Sequence, residues 1–94
     1  MKITARVTYA VLAVFELALH PEESRIQAKE LAQRRQIPLR FLEQILIQLK
    51  KAGLVRSVRG AGGGYALDRR STQITLRDIM EAVEGEVAVF DPKT

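Results

Sequence analysis

Read for hydrophobic period alone, the chain divides into four helical stretches and one short stretch of period two. Thr4 suits an N-cap, and a first helix is expected from about Ala5 to His20. Val7, Ala10, Val11, Val14, Leu17 and Ala18 form one stripe of it, and Leu12, Phe15 and Leu19 a second apolar side. Pro21 stops that helix, with His20 read as a capping or surface residue and Glu22 and Glu23 as solvated turn residues. A short second helix is expected over Ile26 to Arg35, with Ala28, Leu31 and Ala32 inward, then a tight turn at Gln36 and Ile37. Pro38 opens a third helix, 38–52, whose Leu42, Ile45, Leu46 and Leu49 fall at i, i+3, i+4 and i+7. Lys50, Lys51 and Gly53 are its stop signals. The period then changes to about two, giving a hairpin over 54–67 whose tip is Gly60-Ala61-Gly62-Gly63-Gly64. Thr75 and Asp78 form a capping box for a last helix lined by Leu76, Ile79, Met80 and Val83 and ended by Gly85. The fold class is mainly α with a small β-hairpin. Two helices in helix-turn-helix spacing followed by a ribbon make a winged helix-turn-helix over 1–85. Residues 86–94 form a C-terminal tail without periodicity, in which Val87, Val89 and Phe90 pack on the domain or lead into a linker and dimerisation helix.

Charge adds what period cannot. The stretch from Arg34 to Arg70 carries Arg34, Arg35, Arg40, Lys50, Lys51, Arg56, Arg59, Arg69 and Arg70 against Glu43 and Asp68, a net +7. The remaining residues carry six bases and nine acids, a net −3, which gives the chain's +4. Positive charge concentrated on a helix and hairpin is the footprint of a polyanion partner. With the stripe buried, Arg40, Gln44, Ile47 and Lys51 point away from the core, with Glu43 and Gln48 on the flanks. Arg40 suits guanine O6/N7, Gln44 adenine N6/N7, and Glu43 the N4 amino group of cytosine. The competing role for Glu43 is an ion pair with a neighbouring base on the helix. Gly60, Gly62, Gly63 and Gly64 would let the ribbon approach a sugar-phosphate backbone closely, and Arg59 at its edge suits a minor groove. Arg56, Arg69 and Arg70 suit phosphates.

Composition narrows the alternatives. Ninety-four residues with 47% apolar content make one ordinary globular domain. No cysteine is present, so no disulfide, thiolate nucleophile or thiolate metal site can form within these residues. The apolar run from Val7 to Leu19 is too short for a membrane span, and a cytoplasmic protein is expected. The glycine loop is followed by Tyr65-Ala66-Leu67 rather than by a helix or Lys-Ser/Thr, so neither nucleotide-binding fingerprint fits. No nucleophile–base pair, metal spacing or cofactor loop supports an enzyme. A winged helix used for contact with an acidic protein is the other binding class.

Three segments resemble one family: Leu42-Glu43-Gln44-Ile45, Lys51-Ala52-Gly53-Leu54-Val55, and Val58-Arg59-Gly60-Ala61-Gly62-Gly63-Gly64-Tyr65. They are similar to the Rrf2 family of bacterial transcription regulators, and the likeness runs from Tyr9-Ala10 through Ala82-Val83-Glu84-Gly85. The resemblance implies a homodimer that binds double-stranded DNA at promoters. It implies that Glu43 and Gln44 read bases, that Arg59 and its glycines reach the minor groove, and that Tyr9 lies near the backbone. Many members carry three cysteines beyond the position of Thr94 that hold an iron–sulfur cluster. This chain has none, so neither the cluster nor a cluster-based sensor is expected within these residues. Members also carry a long C-terminal dimerisation helix, and nothing after Gly85 is long enough for one. Arg40 stands where many members have a small polar residue.

Overall fold

The computed structural model describes residues 3–60 and 62–89, with 85–89 described by backbone alone. Helix α1 spans Ala5–Leu19, α2 Ala28–Arg35, α3 Leu39–Lys51 and α4 Leu76–Val89. Strands β1 (Val55–Ser57) and β2 (Tyr65–Leu67) lie between α3 and α4. They pair antiparallel in the register Val55↔Leu67, Arg56↔Ala66, Ser57↔Tyr65.

Local chemistry sets the helix ends. Thr4 Oγ1 accepts from the Val7 N–H at 3.3 Å and donates to Glu84 at 2.6 Å, so one hydroxyl caps α1 and ties it to α4. At the other end of α1, His20 is the cap residue before Pro21. Helix α3 ends as its glycine requires. Gly53 adopts φ +78°, its N–H donates to the Lys50 carbonyl, and the Leu54 N–H reaches the Leu49 carbonyl at 3.0 Å. The same closing pattern ends α2, with Gln36 at φ +53° and the Ile37 N–H on the Ala32 carbonyl. The Thr75–Asp78 box forms reciprocally, at 2.9 and 3.0 Å. Hydrogen bonding from the Thr75 backbone N–H, and from its hydroxyl, holds the Asp78 carboxyl below its ordinary range.

The core gathers α1, α3 and α4 around Leu42, Ile45, Leu46 and Leu49, all fully buried, with Val7, Ala10, Val14, Leu17, Leu31, Ile79 and Val83. The apolar stripe of α3 is therefore the wall that fixes which way its other face points. Met80 is half-buried against this core, in keeping with a packing role.

The elements depart from expectation in two places. Ile26 does not begin α2. It forms an antiparallel bridge to Tyr65, exchanging N–H···O bonds of 2.9 and 2.8 Å, and α2 begins at Ala28. A β-branched side chain entering a buried site (2% exposed) favours the extended pairing over a helical turn. Gly85 does not end α4, which continues to Val89. A mid-helix glycine costs about 1 kcal/mol relative to alanine, and that is too little to stop a helix flanked by good formers. The expected packing of Val87, Val89 and Phe90 lies outside the described side chains.

Candidate nucleic-acid interface

With the stripe of α3 buried, Arg40, Glu43, Gln44, Ile47 and Lys51 are exposed together on the opposite face. Among the described residues no side-chain hydrogen bond or ion pair engages Arg40, Glu43, Gln44 or Lys51. Glu43 therefore forms no pair with Arg40 one turn earlier. Gln48, on the flank, belongs to the scaffold. It accepts from Arg6 at 2.8 Å and donates to the Val83 carbonyl at 3.4 Å, linking α3 to α1 and α4. Tyr9 packs edge-on against Phe41, with ring centroids 5.3 Å apart, and the Arg6 guanidinium covers the same ring at 5.4 Å. Tyr9 thus sits beside the first turn of α3, against the residue that follows Arg40 in sequence.

The wing is held at both ends. At the α3 end, Lys50 donates to the Ser57 hydroxyl at 2.8 Å. At the tip, the Val58 N–H reaches the Gly64 carbonyl at 2.8 Å, and the Gly63 N–H the Gly60 carbonyl at 2.9 Å. The Ile26 bridge adds a third strand segment, and the Gln27 side chain donates to the Gly62 carbonyl at 2.5 Å. A Cβ on Gly64 would lie 3.0 Å from Arg25 Cβ and 3.1 Å from the Ile26 carbonyl oxygen, so the glycine is needed for this approach. Arg59 stands exposed at the edge of the glycine turn, engaged by nothing among the described residues. The supporting role of Arg25 and Gln27 has no signature in the sequence. They lie about 35 residues before the loop they support, and no local pattern announces such a pairing.

The other expected contacts divide. Arg56 lies 3.9 Å from Asp68, with both side chains about half exposed. Arg56, Arg69 and Arg70 line a cavity of about 370 Å³ with Leu17, His20 and Leu67, at the C-terminal end of α1. Arg69 also reaches back to Gly53, beyond the C-terminus of α3. These arginines sit near the helix ends opposite Tyr9 and Arg40.

Arg34 and Arg35 leave the basic footprint altogether. Glu16, only 6% exposed, accepts from Arg35 Nε at 2.7 Å and Arg34 Nη1 at 3.3 Å, and it faces His20 Nε2 at 2.9 Å. Arg34 also holds both oxygens of Glu23 at 3.1 Å and pairs with Glu30. Glu23 is consequently not a free solvated residue, and its carboxyl is lowered chiefly by the Arg34 hydrogen bonds. Removing two bases from the nine leaves seven against Glu43 and Asp68, so the footprint is +5 rather than +7. The partners of Arg34 and Arg35 lie four to nineteen residues earlier in the chain, before the stretch from Arg34 to Arg70 begins.

No helix among the described residues is long and apolar enough to cross a membrane. His20, Glu22 and Glu23 could bring one donor atom each toward a cation. However, Glu23 is already held by Arg34, and the chain has no cysteine, so these residues do not fit an iron–sulfur cluster.

Known proteins share this arrangement. The Rrf2 family model, described as an iron-dependent transcriptional regulator, matches residues 3–94. The HTH-type transcriptional regulator IscR of Vibrio atlanticus is 41% identical over 87 residues, which are 93% of this chain and 50% of that protein. Among solved structures, T. potens IscR is 42% identical with a TM-score of 0.83, covering 92% of this chain and 63% of that one. CymR, the global cysteine regulator of B. subtilis, is 38% identical with a TM-score of 0.85, covering 90% of this chain and 66% of that one. The chain thus spans about half the length of the curated relatives it matches. A family match over nearly the whole chain, carried on a helix-turn-helix with a glycine-tipped wing, places this chain in the Rrf2 family of transcriptional regulators.

Proposed function

We propose that this chain is the sequence-reading, DNA-binding part of a bacterial transcription regulator. The observation that carries the reading is the outward face of α3: Arg40, Glu43 and Gln44 stand exposed and unengaged beside a wing whose tip is glycine. In this reading α3, with its flanking residues 38–52, enters the major groove by its N-terminal part. Arg40 pairs with guanine, Gln44 with adenine, and Glu43 accepts from cytosine N4. The wing, 54–67, lies along the minor groove, with Arg59 inserted and Gly60, Gly62, Gly63 and Gly64 against the sugar-phosphate backbone. Tyr9, Lys51, Arg56 and Arg69 contact phosphates; for Arg56 and Arg69 those phosphates flank the site, because both side chains sit away from the N-terminus of α3. The regulator acts in the cytoplasm as a homodimer, and the half-exposed Phe15 and Leu19 on α1 offer apolar surface for a second copy. The quoted relatives are transcriptional regulators, and the proposed role is binding rather than catalysis.

Titration of labelled duplex at several salt concentrations tests this. Log affinity is expected to fall linearly with log salt, with a slope of about 0.9 per phosphate neutralised. A site selected from a random pool is expected to be palindromic, with half-sites about one helical turn apart. Arg59→Ala is expected to weaken binding about tenfold, with most of the loss at A·T-rich minor-groove sites. Undiminished affinity for selected and random duplex alike would remove the wing from the reading. No binding to any duplex at low salt would remove the reading itself.

A further inference from the structure

The polar face of α3 has one interruption. Ile47 is 52% exposed and Leu39 38% exposed, although both are large and aliphatic. At about 100° per residue, Ile47 falls within roughly 30° of the point opposite the centre of the buried stripe. It is therefore at the middle of the outward face, between Glu43 and Gln44 on one side and Lys51 on the other. Leu39, Glu43 and Ile47 also succeed one another at i, i+4 and i+8, so the Glu43 carboxylate lies between two aliphatic side chains along one row. Both side chains remain partly exposed in the described domain. Scattered exposed aliphatics are ordinary on a protein surface. An unengaged carboxylate bracketed along one row by Ile47 on the outward face and Leu39 at its flank is a pattern with a chemical meaning.

Major-groove base edges present one apolar group, the methyl on C5 of a pyrimidine. We propose that Leu39 and Ile47 form the site for a pyrimidine 5-methyl group beside the base read by Glu43. This deepens the proposed function and rests on α3 being the base-reading helix. The chemistry of Glu43 sharpens it. A carboxylate accepts from the N4 amino group of cytosine and repels the O4 of thymine, so of the two pyrimidines the one facing it is cytosine. The methyl group then has two sources: a thymine adjacent to that cytosine, or the cytosine itself when methylated at C5. 5-Methylcytosine presents the N4 donor and the methyl on adjacent ring atoms, matching the carboxylate and aliphatic neighbours on one row of α3. In the second case the same helix would report the methylation state of its site.

The test uses the 94-residue chain and its selected duplex, with each thymine replaced singly by uracil and each cytosine singly by 5-methylcytosine. Either a thymine→uracil change weakens binding about three- to fivefold, or a 5-methylcytosine tightens it by that factor, as expected for burial of one methyl group. The first result assigns the methyl to thymine and the second to methylated cytosine. In Ile47→Ala or Leu39→Ala the effect is expected to shrink below about 1.5-fold. Ile47→Thr, which keeps the branched shape, and far-ultraviolet circular dichroism of each variant separate this from misfolding. Two results overturn the proposal while leaving the DNA-binding reading standing: selective binding that ignores every methyl change, or methyl sensitivity undiminished in both alanine variants. A chain that prefers no duplex sequence overturns both together.

Discussion

Replacing Glu16 with alanine is expected to lower the unfolding free energy by about 2–4 kcal/mol, although Glu16 lies far from the outward face of α3. Its carboxylate is the centre of a network that joins α1 to α2. Arg35 and Arg34 donate to it at 2.7 and 3.3 Å, and His20 faces it at 2.9 Å. Both arginine side chains are about a quarter exposed, so removal of the acid leaves two partly desolvated guanidiniums without their shared acceptor. Arg34 retains Glu23 and Glu30, which holds the loss below that of a wholly buried pair. Burial raises the Glu16 carboxyl, but the hydrogen bonds from Arg35 and Arg34 outweigh it and the group ends below its ordinary 4.5. Because the folded value is the lower one, the stabilisation from this ionisation is fully present above about pH 4.5 and is lost as pH falls through the folded value. Urea unfolding of wild type and Glu16→Gln across pH 3–7 checks the sign. The difference between them is expected to narrow below pH 4.5, and a constant difference would show that ionisation of Glu16 does not contribute.

That network also marks where local sequence pattern stops being informative. The stripe of Leu42, Ile45, Leu46 and Leu49 is legible because each side chain repeats the same geometric demand every three to four residues. Thr4, Gly53 and the Thr75–Asp78 box are legible because a helix end leaves known donors and acceptors to satisfy. These local rules suffice to aim α3, which is why the period of the chain alone names the residues on its outward face. Ionic partners obey no such period. Glu16 is one acid within an apolar helix and carries no local sign of a partner, while Arg34 and Arg35 look like part of a basic patch. Only the packing of α1 on α2 shows that they neutralise one another. Ile26 escapes a local reading for a related reason. Its partner Tyr65 is 39 positions later, and the bridge between them is a tertiary event that local propensity cannot register. Gly85 shows the opposite error, in which a residue that only weakens a helix is given the force of a stop.

Gly64→Val is the variant expected to separate the wing from the helices most completely. Gly64 adopts φ +144°, a backbone region that β-branched residues avoid at a cost of about 1–3 kcal/mol. The added Cβ would also stand 3.0 Å from Arg25 Cβ, 3.1 Å from the Ile26 carbonyl oxygen and 3.2 Å from Arg25 Cγ. Two of those neighbours are backbone or the first side-chain carbon, so they cannot swing aside. The strand segment at Ile26 must move away, breaking its two hydrogen bonds with Tyr65. A total loss of about 2–4 kcal/mol is expected, together with loss of whatever affinity Arg59 contributes, since the edge of the wing is no longer fixed. Gly63 supplies the internal contrast. Its φ of +53° lies where asparagine is tolerated, and the nearest atom to an added Cβ is 3.7 Å away. Gly63→Asn is therefore expected to cost about 1 kcal/mol or less and to keep wing-dependent binding. Urea midpoints of the two variants, measured beside duplex affinity, decide the point. Equal destabilisation by both would mean that loop flexibility, rather than the close approach of Gly64 to Arg25 and Ile26, is what the wing requires of its glycines.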